Sequence, residues 1–292
     1  MTLYFTWMIR TVACTALPVL LFSCTAPKYV YSPSTANLLS IAKKGDAKLA
    51  LNYSTAGNAF IFGGANTKSN GGELQAAVAA GNKIVIRGSA YIKKEHNQTL
   101  LEDTFNTPWE SNSYRKRGAE LSVGIYNFSK SKAASVFQLN GGIGFGKSSF
   151  TTMENEQNSP LQSYSVDYIK AFMQPAAIIK VSENYKITLG NTFSLMSYKN
   201  VKTDLKDIKE EALGYIDSKP GFFSEFIFQN EFEFAGLSGI SFQVQFGTSS
   251  LLTSFSSEAG TTLNTNKYAY HKAWSAIGIA ANFGRIFRKG KK

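Results

Sequence analysis

From Phe222 to Phe246 the chain alternates between greasy and wet positions with a period of two. Phe222, Phe226, Phe228, Phe232 and Phe234 fall on one side of an extended backbone, and Glu225, Gln229, Glu231 and Glu233 on the other. After a turn at Ala235 to Gly239 the period resumes, with Ile240, Phe242, Val244 and Phe246 set against Ser241, Gln243 and Gln245. Side chains at i and i+2 share one face of a strand but diverge by about 200° around a helix. The stretch therefore predicts a two-faced β-hairpin.

The same period recurs over most of the chain. Further strands are predicted at Ala47 to Ser54, Glu73 to Ala80, Lys83 to Lys94, Arg117 to Phe128, Ser135 to Phe150, Gln162 to Val181, Tyr185 to Tyr198 and His271 to Phe287. In the segment from Gln162, Asp167, Lys170 and Pro175 break the phase, and a bulge or an irregular stretch is expected near Pro175. The glycines of the GGIGFG run at Gly141 to Gly146 obey the strand period and read as small inward residues. A nucleotide loop would need a following helix, and none is predicted.

The connections alternate as the residues do. Gly81 and Asn82, Ser129 to Ala134, Ser182 to Asn184 and Ala235 to Gly239 are short. Thr55 to Gly72, Glu95 to Lys116, Thr151 to Leu161, Asn200 to Gly221 and Leu252 to Tyr270 are long. Transmembrane β-barrels have short periplasmic turns and long extracellular loops. The expected fold is an all-β, antiparallel, up-and-down transmembrane barrel of about ten strands, with eight or twelve as alternatives. Aromatics near strand ends, among them Tyr91, Tyr114, Tyr164, Tyr185, Tyr198, Phe128 and Phe234, are expected to form interfacial girdles.

The first residues change the picture from a sheet to an exported sheet. Arg10 followed by the apolar run Val12 to Phe22 reads as a signal peptide, too short to span a bilayer. Leu21, Phe22, Ser23 and Cys24 resemble a bacterial lipobox, which implies lipid attachment at Cys24. The domain plan is then a signal peptide over 1–23, a lipidated N-terminus and linker over 24–45, a barrel over 46–287 and a basic tail over 288–292. The only cysteines are Cys14 and Cys24. A processed chain keeps one of them, too few for a disulfide framework or a cysteine metal site. From leader to last strand the chain resembles the outer-membrane β-barrel proteins common in Bacteroidetes. That resemblance implies an outer-membrane location with both termini periplasmic, and insertion by the barrel-assembly machinery through a terminal aromatic such as Phe283 or Phe287.

Composition narrows the function. The net charge of +11 would suit nucleic acid, yet no aromatic and basic module for it is present, so no nucleic-acid partner is expected. His96 and His271 fall at loop ends, near Glu95, Glu102 and Asp103, without a paired catalytic motif. No catalytic, cofactor-binding or metal-binding residue is assigned, no cofactor is expected, and the chain is not read as an enzyme. Lys93, Lys94, Arg115, Lys116 and Arg117 gather at one hairpin and form a candidate rim for lipopolysaccharide phosphates. Arg87, Glu120, Lys186, Glu225, Glu231 and Glu233 occupy the polar face and are the candidate lumen charges. The leading expectation is a structural, loop-binding or accessory role in an outer-membrane complex, contacting membrane lipid and lipopolysaccharide. The alternatives are a narrow small-solute channel and a soluble periplasmic β-sandwich lipoprotein.

Overall fold

A computed structural model describes residues 34–41, 44–56, 67–99, 110–128, 135–154, 160–203, 220–234, 236–237, 239–252, 273–284 and 286. They form ten strands: β1 (Ala47–Ala56), β2 (Thr67–Ala79), β3 (Ile84–Thr99), β4 (Glu110–Phe128), β5 (Ser135–Glu154), β6 (Pro160–Lys180), β7 (Tyr185–Thr203), β8 (Gly221–Glu233), β9 (Ile240–Leu251) and β10 (Ala273–Asn282). Each strand pairs antiparallel with its sequence neighbours, and β1 returns to β10, so the sheet closes into an up-and-down barrel. Closure leaves no row of unpaired backbone groups, the condition for a sheet immersed in hydrocarbon. The sandwich alternative fails on this closure, since one sheet meets itself and, among the described residues, no second sheet packs on the phenylalanine face.

Period-two patterning decides what each face touches. On β8 the odd-numbered residues point inward and the phenylalanines at 226, 228 and 232 point outward. The same division holds around the barrel, with Leu51, Ile125, Ile143, Phe145 and Ile279 each more than half exposed on the outer wall. Gln75, Gln138, Gln229 and Gln243 are by contrast fully buried inside. Apolar outside and polar inside is the reverse of a water-soluble barrel, and it is the arrangement that a lipid solvent selects.

All ten predicted strands are present, but several run further at the long-loop end. β4 starts at Glu110 and not Arg117, and β5 continues to Glu154 past Phe150. A membrane crossing needs about 9–11 strand residues, whereas β3 to β7 carry 16, 19, 20, 21 and 19. The added residues, such as Glu110 to Ser113, are polar at both parities, so alternation vanishes from the sequence there while the backbone ladder continues. β10 ends earlier than predicted, at Asn282, where Phe283 and Gly284 begin a helical turn.

Near Pro175 the irregular stretch is present and the bulge is not. Pairing of β6 with β7 skips Gln174 and Pro175 without changing register, and the shift falls between Ser165 and Asp167. Proline on the outer wall withholds one ladder donor but leaves the count intact. The extra residue is instead on β7, where Asn200 has φ 55°, a conformation that asparagine tolerates better than most residues.

Candidate functional site

The lumen is filled in layers. At its centre runs the segment Ser34 to Ile41, expected from its composition to be a linker and found inside the barrel. Leu38, Leu39 and Ile41 are 0%, 0% and 2% exposed. Leu39 and Ile41 pack with Ala50, Ala77, Val85, Tyr126, Val136, Ile178 and Ala280 toward the short-turn end. Leu38 and Ala36 sit higher, among Ala176, Ile227, Trp274 and Ala276. The segment makes no ladder with the wall, so wall side chains satisfy its backbone. Thr35 N–H donates to Glu73 at 2.9 Å, and the Thr35 hydroxyl donates to the same carboxylate. Gln75 donates to the Ala36 carbonyl at 3.2 Å. Arg87 donates to the Leu39 carbonyl at 3.1 Å and to the Gln138 side chain. Asn37 reaches the backbone carbonyls of Ala76 and Gly88 at 3.0 and 2.9 Å.

At the short-turn end, Ser40 joins a buried ionic cluster. Glu231 accepts from Lys48 at 2.6 Å, from Lys186 at 3.4 Å and from Ser40 at 3.1 Å. Lys48 and Glu231 come from β1 and β8, strands that are not neighbours in the sheet. The recess lined by Lys48, Lys186, Glu231, Glu233, Gly239, Ser241 and Asn282 is about 10 Å³, no more than a single water requires.

Toward the long-loop end the lumen is aromatic. Tyr114, Phe150, Tyr164, Val166, Tyr168, Met196, Tyr198 and Phe223 form one buried cluster. Tyr91 and Tyr168 share a hydrogen bond at 2.5 Å, and the Lys116 ammonium lies 5.1 and 5.4 Å from their ring centroids. Glycine makes room for this layer. Tyr91, Gly118, Gly146, Tyr168 and Tyr198 lie in one cross-strand row. A Cβ on Gly118 would meet the Tyr168 hydroxyl at 2.5 Å. Gly144 lies between Glu120 and Lys170 in the next row, and these pair across it at 3.1 Å. Gly142, Gly144 and Gly146 are thus the floor on which side chains of β4 and β6 meet, whereas Gly141, expected to face inward with them, is exposed on the outer wall between Val123 and Met173.

All six candidate lumen charges face inward. Lys186 and Glu231 pair with each other, Glu120 pairs with Lys170, and Arg87 holds the lumen segment. Glu225 is buried, and Glu233 accepts from the Gly239 N–H at 3.0 Å. The candidate rim is split. Lys94, Arg115 and Arg117 are exposed on the outer wall, whereas Lys93 and Lys116 are each 3% exposed inside. Lys93 pairs with Glu95 at 3.1 Å. Neighbours along a strand point to opposite faces, so five cations close in sequence cannot form one surface. The same rule corrects the girdle: Tyr91, Tyr114, Tyr164 and Tyr198 are buried lumen residues, while Tyr185 and Phe234 face out. For Tyr91, Tyr114 and Tyr198 the signal was parity with the inward Arg87, Glu120 and Lys186 on the same strands. His96 is exposed and Glu95 is buried, so they do not share a site. Cys24, His271, Glu102, Asp103 and the side chain of Phe128 lie outside the described residues. Among the described residues no three His, Cys, Asp or Glu gather as metal ligands.

No family model matches the chain, and no curated protein matches it in sequence. In structure it overlaps the outer membrane protease OmpT from Escherichia coli, with a TM-score of 0.41 and 9% identity over 84% of this chain and 99% of that one. An outer membrane channel from Pseudomonas putida F1 gives 0.38 and 7% over 86% and 100%. The translocator domain of the autotransporter NalP from Neisseria meningitidis gives 0.39 and 8% over 83% and 90%. Overlaps this loose assign no role to any residue of this chain.

Proposed function

We propose that this chain is a bacterial outer-membrane β-barrel, anchored in addition by lipid on Cys24, that acts through its outer wall and long loops and neither conducts solute nor catalyses. The filled lumen carries this reading. Ser34 to Ile41 occupy its lower half, and the tyrosine cluster occupies the upper half. A transport path would have to displace both layers together with the Lys48–Glu231–Lys186 cluster. The short turns face the periplasm and the long loops the exterior, the asymmetry usual in such barrels. The partners in this reading are outer-leaflet lipid, the assembly machinery during insertion, and a loop-bound protein or surface ligand.

The test has two readouts. Fractionation of expressing cells should put the chain in the outer membrane, extractable only with detergent, with faster gel mobility before boiling than after. In planar bilayers under molar potassium chloride the folded protein should give no unitary openings. Extraction without detergent and no mobility shift would defeat the membrane reading, and reproducible single-channel steps would defeat the closed lumen.

A further inference from the structure

The outer wall of β3 to β7 carries a charged zone directly above the apolar belt, and its membership differs from any cluster visible along the chain. Ile92, Arg117, Lys147, Asp167 and Lys199 are successive cross-strand partners in one lateral row. The row above contains Lys94, Arg115, Ser149, Ser165 and Lys202. Lys94, Arg115, Arg117, Lys147, Lys199 and Lys202 are all exposed. Beneath them on the same wall lie Leu121, Phe145, Ile169 and Leu195, each at or near half exposure.

Lys199 and Lys202 should point to opposite faces, being three residues apart. The extra residue on β7 changes this. Asn200, at φ 55°, takes up one position without a partner, so Val201 turns inward against the aromatic cluster and Lys202 turns outward beside Lys199. Bulges re-aim side chains in this way. The Asn200 amide donates at 2.9 Å to Asp167, whose carboxylate stands between Lys147 and Lys199 in the row. The cations are thereby divided into one lobe on β3 to β5 and another on β7. From β4 to β7 is three strand spacings, about 14 Å.

We propose that this zone is a binding site for a lipid of the outer leaflet whose headgroup carries two separated phosphates, as lipid A of lipopolysaccharide does. Each lobe takes one phosphate through charge-assisted hydrogen bonds, Asp167 keeps the lobes apart, and the acyl chains lie down the apolar wall below. A soluble anion would use the cations but not the wall. The inference rests on the proposed orientation, in which the long-loop end meets the outer leaflet. Its binding test is made on purified protein and is independent of where the chain resides in the cell.

Detergent-solubilised, delipidated full-length protein is titrated with bis-phosphorylated lipid A, its dephosphorylated form and inorganic phosphate, with native mass spectrometry as readout. Wild type should bind the bis-phosphorylated lipid and discriminate against the dephosphorylated one. Arg115→Glu with Arg117→Glu, and separately Lys199→Glu with Lys202→Glu, should each weaken binding by about tenfold or more, since losing even one charge-assisted contact suffices for that. Lys180→Glu, an exposed cation at the short-turn end, should leave binding unchanged, and heat-modifiable mobility verifies folding of every variant. Equal affinity for phosphorylated and dephosphorylated lipid would overturn the proposal. So would retained binding in both folded double variants, or displacement of the lipid by inorganic phosphate at similar concentration.

Discussion

Phe228 and Gln229 are adjacent and meet different solvents. Phe228 lies on the lipid wall opposite Phe246 and Leu189, and Phe228→Arg should cost about 2–4 kcal/mol of folding free energy, the usual penalty for a cation at the bilayer midplane. From the sequence alone, Gln229→Arg should be much milder, because that face reads as a wet lumen. The packing alters that expectation. Gln229 is fully buried, donating to Gln243 at 3.3 Å and accepting from Gln245 at 3.0 Å. A buried arginine would overfill that layer and leave donors without partners, costs of about 1–3 kcal/mol each. Urea unfolding in lipid vesicles should therefore rank both variants as destabilised. A neutral Gln229→Arg would mean that the lumen at this level is open to water.

At the scale of the element, Ser34 to Ile41 behaves as a wedge rather than a strand, held by side chains from several walls. Its lower anchorage runs through Glu231, which accepts from Ser40, Lys48 and Lys186 together. Breaking a buried ion pair by removing one partner costs about 3–5 kcal/mol. Glu231→Gln should approach that figure, while Glu231→Leu combined with Lys48→Met should recover much of the loss. If Glu231→Gln unfolds at the wild-type urea midpoint, the cluster does not secure the wedge. β7 offers a second element-scale lesson: a single extra residue at Asn200 reverses facing for the rest of the strand, so a charge's address depends on register as well as position.

For the whole molecule, tall walls at β3 to β7 and short ones at β1 and β10 put one side of the barrel well above the belt. A membrane-impermeant maleimide should thus label Ser149→Cys in intact cells. Val181→Cys, at the opposite end, should react only after the outer membrane is permeabilised. The reverse pattern would invert the proposed orientation. The ten strands, their order and the lipid-facing row of each strand within the apolar belt were legible in the sequence, because alternation is a local consequence of backbone geometry and of two solvents on two faces. The upper ends of the strands were not, since polar residues on both faces carry no period. Nor was the fate of Ser34 to Ile41. Its few apolar residues have no alternation of their own, and their burial depends on space left among Ala50, Val85, Tyr126, Ile178 and Trp274, residues that only closure brings together. The outer cations follow the same logic. Lys93 and Lys116 were separable from Lys94, Arg115 and Arg117 by parity alone, but Lys147, Lys199 and Lys202 joined the zone through cross-strand register and a bulge. Those are relations between distant segments, which only the tertiary structure decides.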